Sequence, residues 1–174
     1  MASMLEKSGV IEEVFDVAYK WLGRIPGGLA VATVVASTVL AAMVGVIGAA
    51  VVTMALVALP SMLRRGYSPV LAVGTVMAGG TLGILIPPSV LAIVYGLVAN
   101  QSVGELYLGS VFPGLVLSGL YILFSVGYAL LNPKAAPRLS PEETPTWSER
   151  WRALRSIWSP LVLIFLVLGT IFLG

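Results

Sequence analysis

Hydrophobic and polar positions divide the chain into a few long apolar runs separated by short polar punctuation. In Val10 to Leu22, apolar residues recur at helical spacing: Val10, Val14, Val17 and Trp21 along one edge, with Ile11, Phe15, Ala18 and Leu22 beside it. Glu12, Glu13, Asp16 and Lys20 fall on the other face. That pattern predicts an amphipathic helix too polar to span a membrane, lying along the interface with Trp21 and Arg24 at its end. Packing on a soluble domain is the plainer alternative for such a helix.

A charge-free run follows from Ile25 to Leu63, bounded by Arg24 and by Arg64-Arg65. Basic residues at both ends place both ends on the cytoplasmic side, so the run must enter the membrane and return. Val44-Gly45-Val46-Ile47-Gly48 is the natural turning point. Limbs from Gly27 to Met43 and Ala49 to Leu63 would each be roughly 23 to 26 Å long, short of a hydrocarbon core about 30 Å thick. The turn carries no strongly polar residue, which favours a re-entrant hairpin with a buried tip. Two ordinary spans joined by a tight turn are the alternative.

After the basic turn Arg64-Arg65-Gly66-Tyr67-Ser68-Pro69, Val70 to Ala78 is predicted helical, with Pro69 suited to the first turn. Gly79-Gly-Thr-Leu-Gly-Ile-Leu-Ile-Pro-Pro-Ser89 should then break it. Gly79, Gly80 and Gly83 weaken a helix, and Pro87-Pro88 remove two donors and exclude helical geometry just before them. Within hydrocarbon, an irregular backbone persists only where protein or a water-lined cavity satisfies it. A simple proline kink in a structural helix is the competing reading. Val90 to Ala99 completes the crossing, and Asn100 to Glu105, polar without Lys or Arg, fits the non-cytoplasmic side. Leu106 to Leu131 returns as a continuous span toward Lys134 and Arg138, with Pro113 and Gly114 as a potential bend.

Asn132 to Pro145 reads as a proline-rich loop. Thr146 to Trp158 reads as a second amphipathic helix, with Trp147, Trp151, Leu154 and Trp158 on one stripe beside Arg150, Arg152 and Arg155. Trp21, Trp147, Trp151 and Trp158 are thus the expected interfacial anchors. The predicted organisation is 1–24 an amphipathic arm region, 25–65 the re-entrant hairpin and 66–104 a discontinuous transmembrane helix. Residues 105–132 form a transmembrane helix, 133–158 a cytoplasmic loop with amphipathic helix, and 159–174 the start of a further span. The basic loops 64–67 and 133–157 are both expected on the cytoplasmic side. Met1 to Gly9 lacks the features of a signal peptide, and Pro160 to Gly174 stops short of a full crossing, so both ends read as cut.

Composition agrees with the pattern. Charged residues make up 10% of the chain and hydrophobic residues 58%, where a soluble domain carries about a quarter charged residues. The fold class is therefore an all-α integral membrane protein. The slight basic excess sits in short loops and marks topology rather than nucleic-acid binding. With neither cysteine nor histidine, disulfides, thiol catalysis, imidazole bases and the usual zinc and haem sites are excluded. No acid, base and nucleophile constellation suggests an enzyme.

Candidate chemistry is confined to backbone and hydroxyl oxygen. Between Ile25 and Tyr95 the ionisable acids and bases are limited to Arg64-Arg65, which argues against a proton-coupled site there. A hard monovalent cation such as sodium instead takes carbonyls and hydroxyls, and half-helix ends supply carbonyls to cations and amides to anions. The candidate ion- or substrate-binding positions are Gly45, Gly48 and Ala49 at the tip, with Gly79, Gly80, Thr81, Gly83, Pro87, Pro88 and Ser89 at the break. Thr53, Thr81 and Ser89 are the hydroxyls at hand. Thr53 on its own reads rather as a packed helix residue bonding a preceding carbonyl, and Gly45 with Gly48, followed by Ala49-Ala50, reads equally as helix-packing surface.

Leu-Pro-Ser-Met-Leu-Arg-Arg-Gly-Tyr-Ser-Pro (59 to 69), Gly-Thr-Leu-Gly-Ile-Leu-Ile-Pro-Pro-Ser (80 to 89) and Ile-Val-Tyr-Gly (93 to 96) together resemble the large membrane subunit of TRAP transporters, the tripartite ATP-independent periplasmic family. Met-Leu-Glu-Lys-Ser-Gly (4 to 9) and Gly-Gly-Leu-Ala (27 to 30) fit the same family. The resemblance covers most of the first 130 residues. It implies a sodium-driven, elevator-type uptake system for organic acids in the bacterial inner membrane, working with a small membrane subunit and a periplasmic substrate-binding protein. It also implies an ion-transporter-like half, one of two inverted halves, in which hairpin tip and helix break make half of a sodium site and the amphipathic helices act as arms. No other cofactor is implied. Gly48-Ala49-Ala50 departs from the serine-rich tip of many members and loses hydroxyl ligands, and the second half is not in the chain. The other functional reading is a permease-derived accessory subunit that stabilises a larger membrane complex without transport of its own.

Overall fold

The computed structural model describes residues 10–23 and 25–137, together with residues 158, 162, 166 and 169. Among these, the regular structure is helical: α1 (Val10–Leu22), α2 (Gly28–Val44), α3 (Ile47–Arg64), α4 (Pro69–Leu85), α5 (Val90–Ala99) and α6 (Val103–Leu131). Among the described residues, three stretches are long and apolar enough to cross a membrane: Ile47–Arg64, Pro69–Ala99 (interrupted between α4 and α5) and Val103–Leu131. The chain is a multi-pass helical membrane protein. Arg24, the segment 138–157 with Trp147 and Trp151, and most of the expected span 159–174 lie outside the described residues. Of the expected interfacial anchors, Trp21 is half-buried on α1 and Trp158 is 72% exposed.

α1 forms where the sequence predicts it. Glu12 and Glu13 sit in its first turn and Lys20 in its last, each complementing the local helix-dipole charge, and Lys20 pairs with Asp16 one turn back. Val14, Phe15, Val17 and Ala18 are buried, and α1 packs on α2. At its end, the Arg65 guanidinium stacks over the Tyr19 ring, 4.6 Å from the centroid.

α2 is the central helix, buried on nearly every side against α1, α3, α4 and α6. A helix apolar around its whole circumference is stable only when so enclosed. Glycines at positive φ flank it, Gly27 at 69° and Gly45 at 65°. Thr33, near its start, donates to the Leu29 carbonyl (2.8 Å) and contacts the Met62 sulfur, near the end of α3, at 3.6 Å. α2 and α3 are therefore an antiparallel hairpin turned by Gly45 and Val46.

α4 starts on a cap visible in sequence: the Ser68 hydroxyl accepts the Leu71 N–H at 3.4 Å, and Pro69 takes the first turn. Its end is not where the glycines predict. Helix continues through Gly79, Gly80 and Gly83 to Leu85, so the interruption is Ile86 to Ser89 alone. Each glycine costs about 1 kcal/mol of helix propensity, but these serve close packing. A methyl at Gly79 would overlap Ser37 of α2, and one at Gly80 would overlap Val51 of α3. What stops the helix is proline: Ile86, forced out of the helical region by Pro87, is extended (φ −88°, ψ 120°).

One end of the molecule gathers the basic turns. Ser68 N–H donates to the Ala135 carbonyl at 2.9 Å, and Gly66 lies beside Pro137. Asn100, in left-handed conformation (φ 51°), caps α5 at the opposite end. At 1.5 Å per residue, α4 and α5 place the break about 25 Å from the basic end and about 15 Å from the other.

Candidate functional site

The hairpin tip and the helix break meet inside the bundle. α2 and α4 both end there and α3 and α5 both begin there, so four helix termini converge. Gly45 lies directly against the Pro88 carbonyl, and the Val90 N–H makes a long, 3.5 Å hydrogen bond to the Gly45 carbonyl. A Cβ at Gly83 would stand 3.7 Å from the Ile47 nitrogen and the Val46 carbonyl carbon, an ordinary contact, so α4 reaches this point beside the start of α3. The Pro87–Pro88 peptide is cis.

α6 closes the junction from the other side. Gly114 sits under Leu85 and Ile86, and a Cβ there would come within 3.0 Å of Ile86. The Tyr107 hydroxyl, on a fully buried side chain, donates to the Ser89 carbonyl at 3.1 Å. Neither residue stands out in sequence: Gly114 beside Pro113 reads as a bend, and a tyrosine early in an apolar helix reads as interfacial. Ser37 was also missed. It is fully buried in mid-α2 against Gly79, and its hydroxyl has no hydrogen-bond partner.

Of the positions singled out in sequence, Gly45, Gly83, Pro87, Pro88 and Ser89 come together at the junction. Gly48 and Ala49 occupy the first turn of α3, Gly48 exposed and Ala49 half-buried. Gly79 and Gly80 lie one to two turns back along α4 as packing contacts. The Thr81 hydroxyl turns outward, bonding the Ala78 carbonyl (2.7 Å) and the Tyr121 hydroxyl of α6 (3.3 Å). Thr53 is buried on α3. Ser89 is fully buried at the N-cap of α5, makes no side-chain cap bond, and its hydroxyl has no hydrogen-bond partner.

The donors on offer are neutral oxygens. The last carbonyls of a helix lack intrahelical partners. Gly45 N–H takes the Ala41 carbonyl and Ile86 N–H the Leu82 carbonyl, so the carbonyls beyond these, at the end of each helix, have no partner in the helical ladder. Two helix C-termini bring partial negative charge on carbonyls to the junction, and the starts of α3 and α5 bring partial positive charge on amides, so carbonyls for a cation and N–H groups for an anion lie side by side. Neutral carbonyl and hydroxyl oxygens suit a hard monovalent cation and not a thiophilic metal. Among the described residues, no group of three or more Asp, Glu, His or Cys could hold a metal ion.

Discontinuous transmembrane helices are elements from which many secondary transporters build their binding sites. The chain belongs to the DctM component family of tripartite ATP-independent periplasmic transporters, which it matches over residues 1–174. It is 35% identical over 173 residues to the C4-dicarboxylate TRAP transporter large permease protein DctM of Vibrio cholerae, covering 99% of this chain and 37% of that protein. It is 37% identical over 172 residues to the protein of that description from Pseudomonas aeruginosa, covering 99% of this chain and 39% of that one. The ectoine TRAP transporter large permease protein TeaC of Halomonas elongata is 30% identical over 173 residues, 99% of this chain and 39% of its own. The chain thus spans about two-fifths of the length of these curated relatives.

Proposed function

We propose that this chain is the part of a TRAP large permease subunit that builds one half of a sodium site, in a secondary transporter that takes up organic acids across a bacterial inner membrane. The observation that carries this reading is the meeting of Gly45 with Pro88 and Val90, which brings together four helix ends whose residues Val44 to Ile47 and Leu85 to Val90 include no Asp, Glu, Lys or Arg. Sodium is held by helix-end carbonyls and the Ser89 hydroxyl, and the hairpin α2–α3 is re-entrant, its tip staying within the membrane. The hairpin and the broken helix α4–α5 move as one body in an elevator motion, with α1 as an arm along the cytoplasmic interface. A small membrane subunit and a periplasmic substrate-binding protein complete the system. The relatives' substrates, C4-dicarboxylates among them, support an organic acid as the solute.

The test uses the full permease with its small subunit and binding protein in proteoliposomes. A panel of organic acids is offered with an inward sodium gradient or with choline in its place. Sodium-dependent uptake is expected, and it is expected to disappear in Gly80→Leu and Pro87→Ala. Uptake indifferent to sodium, or normal in both variants, would falsify the assignment.

A further inference from the structure

We infer that Tyr107 is a positioning residue that decides which oxygen of Ser89 serves the ion site; this rests on the sodium reading above. The Ser89 carbonyl has two lone pairs, and both are engaged: it accepts the Ile93 N–H at 3.3 Å as the first turn of α5 closes, and the Tyr107 hydroxyl at 3.1 Å. It has no capacity left for a cation. The Ser89 hydroxyl is in the opposite condition, fully buried and without a partner. An N-cap serine ordinarily spends its side-chain oxygen on the amides of its own helix; Ser89 makes no such bond. Its Cα is in contact with the Gly45 tip, 3.6 Å from where a Cβ would stand. Buried polar groups are rarely left unpaired in native structures. Ser89 therefore presents its hydroxyl, not its carbonyl, to the ion. Tyr107 holds the carbonyl from α6 and so fixes the peptide orientation that keeps the hydroxyl at the junction.

Tyr107→Phe keeps the ring and its packing and removes only the hydroxyl. The experiment follows thermal unfolding of the purified full permease with its small subunit, titrated with sodium chloride against choline chloride at constant ionic strength. Wild type is expected to be stabilised saturably by sodium. In Tyr107→Phe the half-saturating sodium concentration is expected to rise about fivefold, the loss of roughly one hydrogen bond's worth of affinity. Ser89→Ala should raise it at least as far, and the double variant no further than Ser89→Ala, because Tyr107 acts through Ser89. A lowered unfolding temperature with an unchanged sodium midpoint, or additive shifts in the double variant, would mean that Tyr107 merely packs, and the inference falls while the sodium reading stands. An absent sodium response in wild type removes both. Should Tyr107→Phe fail to assemble, an unchanged midpoint in Ser89→Ala overturns the inference and takes the Ser89 hydroxyl out of the proposed site, while a saturable sodium response in wild type keeps the sodium reading itself.

Discussion

The carbonyl oxygen of Pro88 occupies the space that a side chain at Gly45 would need. Hairpin tip and helix break are thereby in backbone contact, and Gly45 itself turns the hairpin at φ 65°. An alanine there would adopt a left-handed conformation costing about 1–2 kcal/mol and would also push the break away. Gly45→Ala is expected to lower the unfolding temperature of the full permease and to abolish sodium-dependent uptake. Retained uptake would show that tip and break work independently.

A second contact sits deeper in the bundle. Gly79 lies against the side chain of Ser37, with both its Cβ and Oγ in the way of any added methyl. Gly79→Ala is expected to destabilise by about 1–3 kcal/mol, as overpacking does. Ser37→Gly should recover part of that loss in the double variant. A double-mutant cycle by thermal unfolding measures the coupling, and strict additivity would count against direct packing.

The hydroxyls of Thr81 and Ser89 lead to different expectations, although both were candidate ligands in sequence. Thr81 bonds Ala78 and Tyr121, whereas Ser89 is buried at the junction without a partner. Ser89→Ala should weaken the sodium response, and Thr81→Val should change it less than twofold, within the range of a peripheral contact. Sodium titrations of uptake separate the two; the reverse ranking would move the site toward α6.

Tyr67, in the turn between α3 and α4, ties that turn to the start of α2: the Leu29 N–H donates to its phenol oxygen at 3.3 Å. Burial pushes its pKa above the ordinary 10.0, against the opposing pull of the Leu29 amide and of Arg65. Because the folded value is raised, the stabilising contribution of the neutral phenol is complete below about pH 10 and is lost as pH rises through the folded value. The unfolding temperature should therefore fall more steeply above pH 10 in wild type than in Tyr67→Phe. Parallel slopes would remove Tyr67 as the cause.

Some of this was legible from residues alone. Helix class, the amphipathic Val10–Leu22 segment and a discontinuous helix at Pro87-Pro88 follow from periodicity, charge placement and proline stereochemistry, all of which act over a few residues. The Ser68-Pro69 start of α4 was readable for the same reason. The extent of the break was not. Gly79, Gly80 and Gly83 signal a weakened helix in isolation, but Ser37 and Val51 pack where side chains at Gly79 and Gly80 would have been, and such packing outweighs propensity.

The sequence by itself determined that the chain lives in a membrane, that it is helical and that its backbone must be interrupted at Pro87-Pro88, because hydrocarbon demands apolar length and proline lacks a backbone donor. Tertiary structure alone decided that the interruption at Ile86–Ser89 meets the turn at Gly45. It also decided that Tyr107 engages the Ser89 carbonyl and that Thr81 faces away. Those outcomes depend on contacts between residues 18 to 45 positions apart, such as Ser89 with Tyr107 and Gly45 with Val90, and no local pattern encodes which distant backbone a glycine will admit.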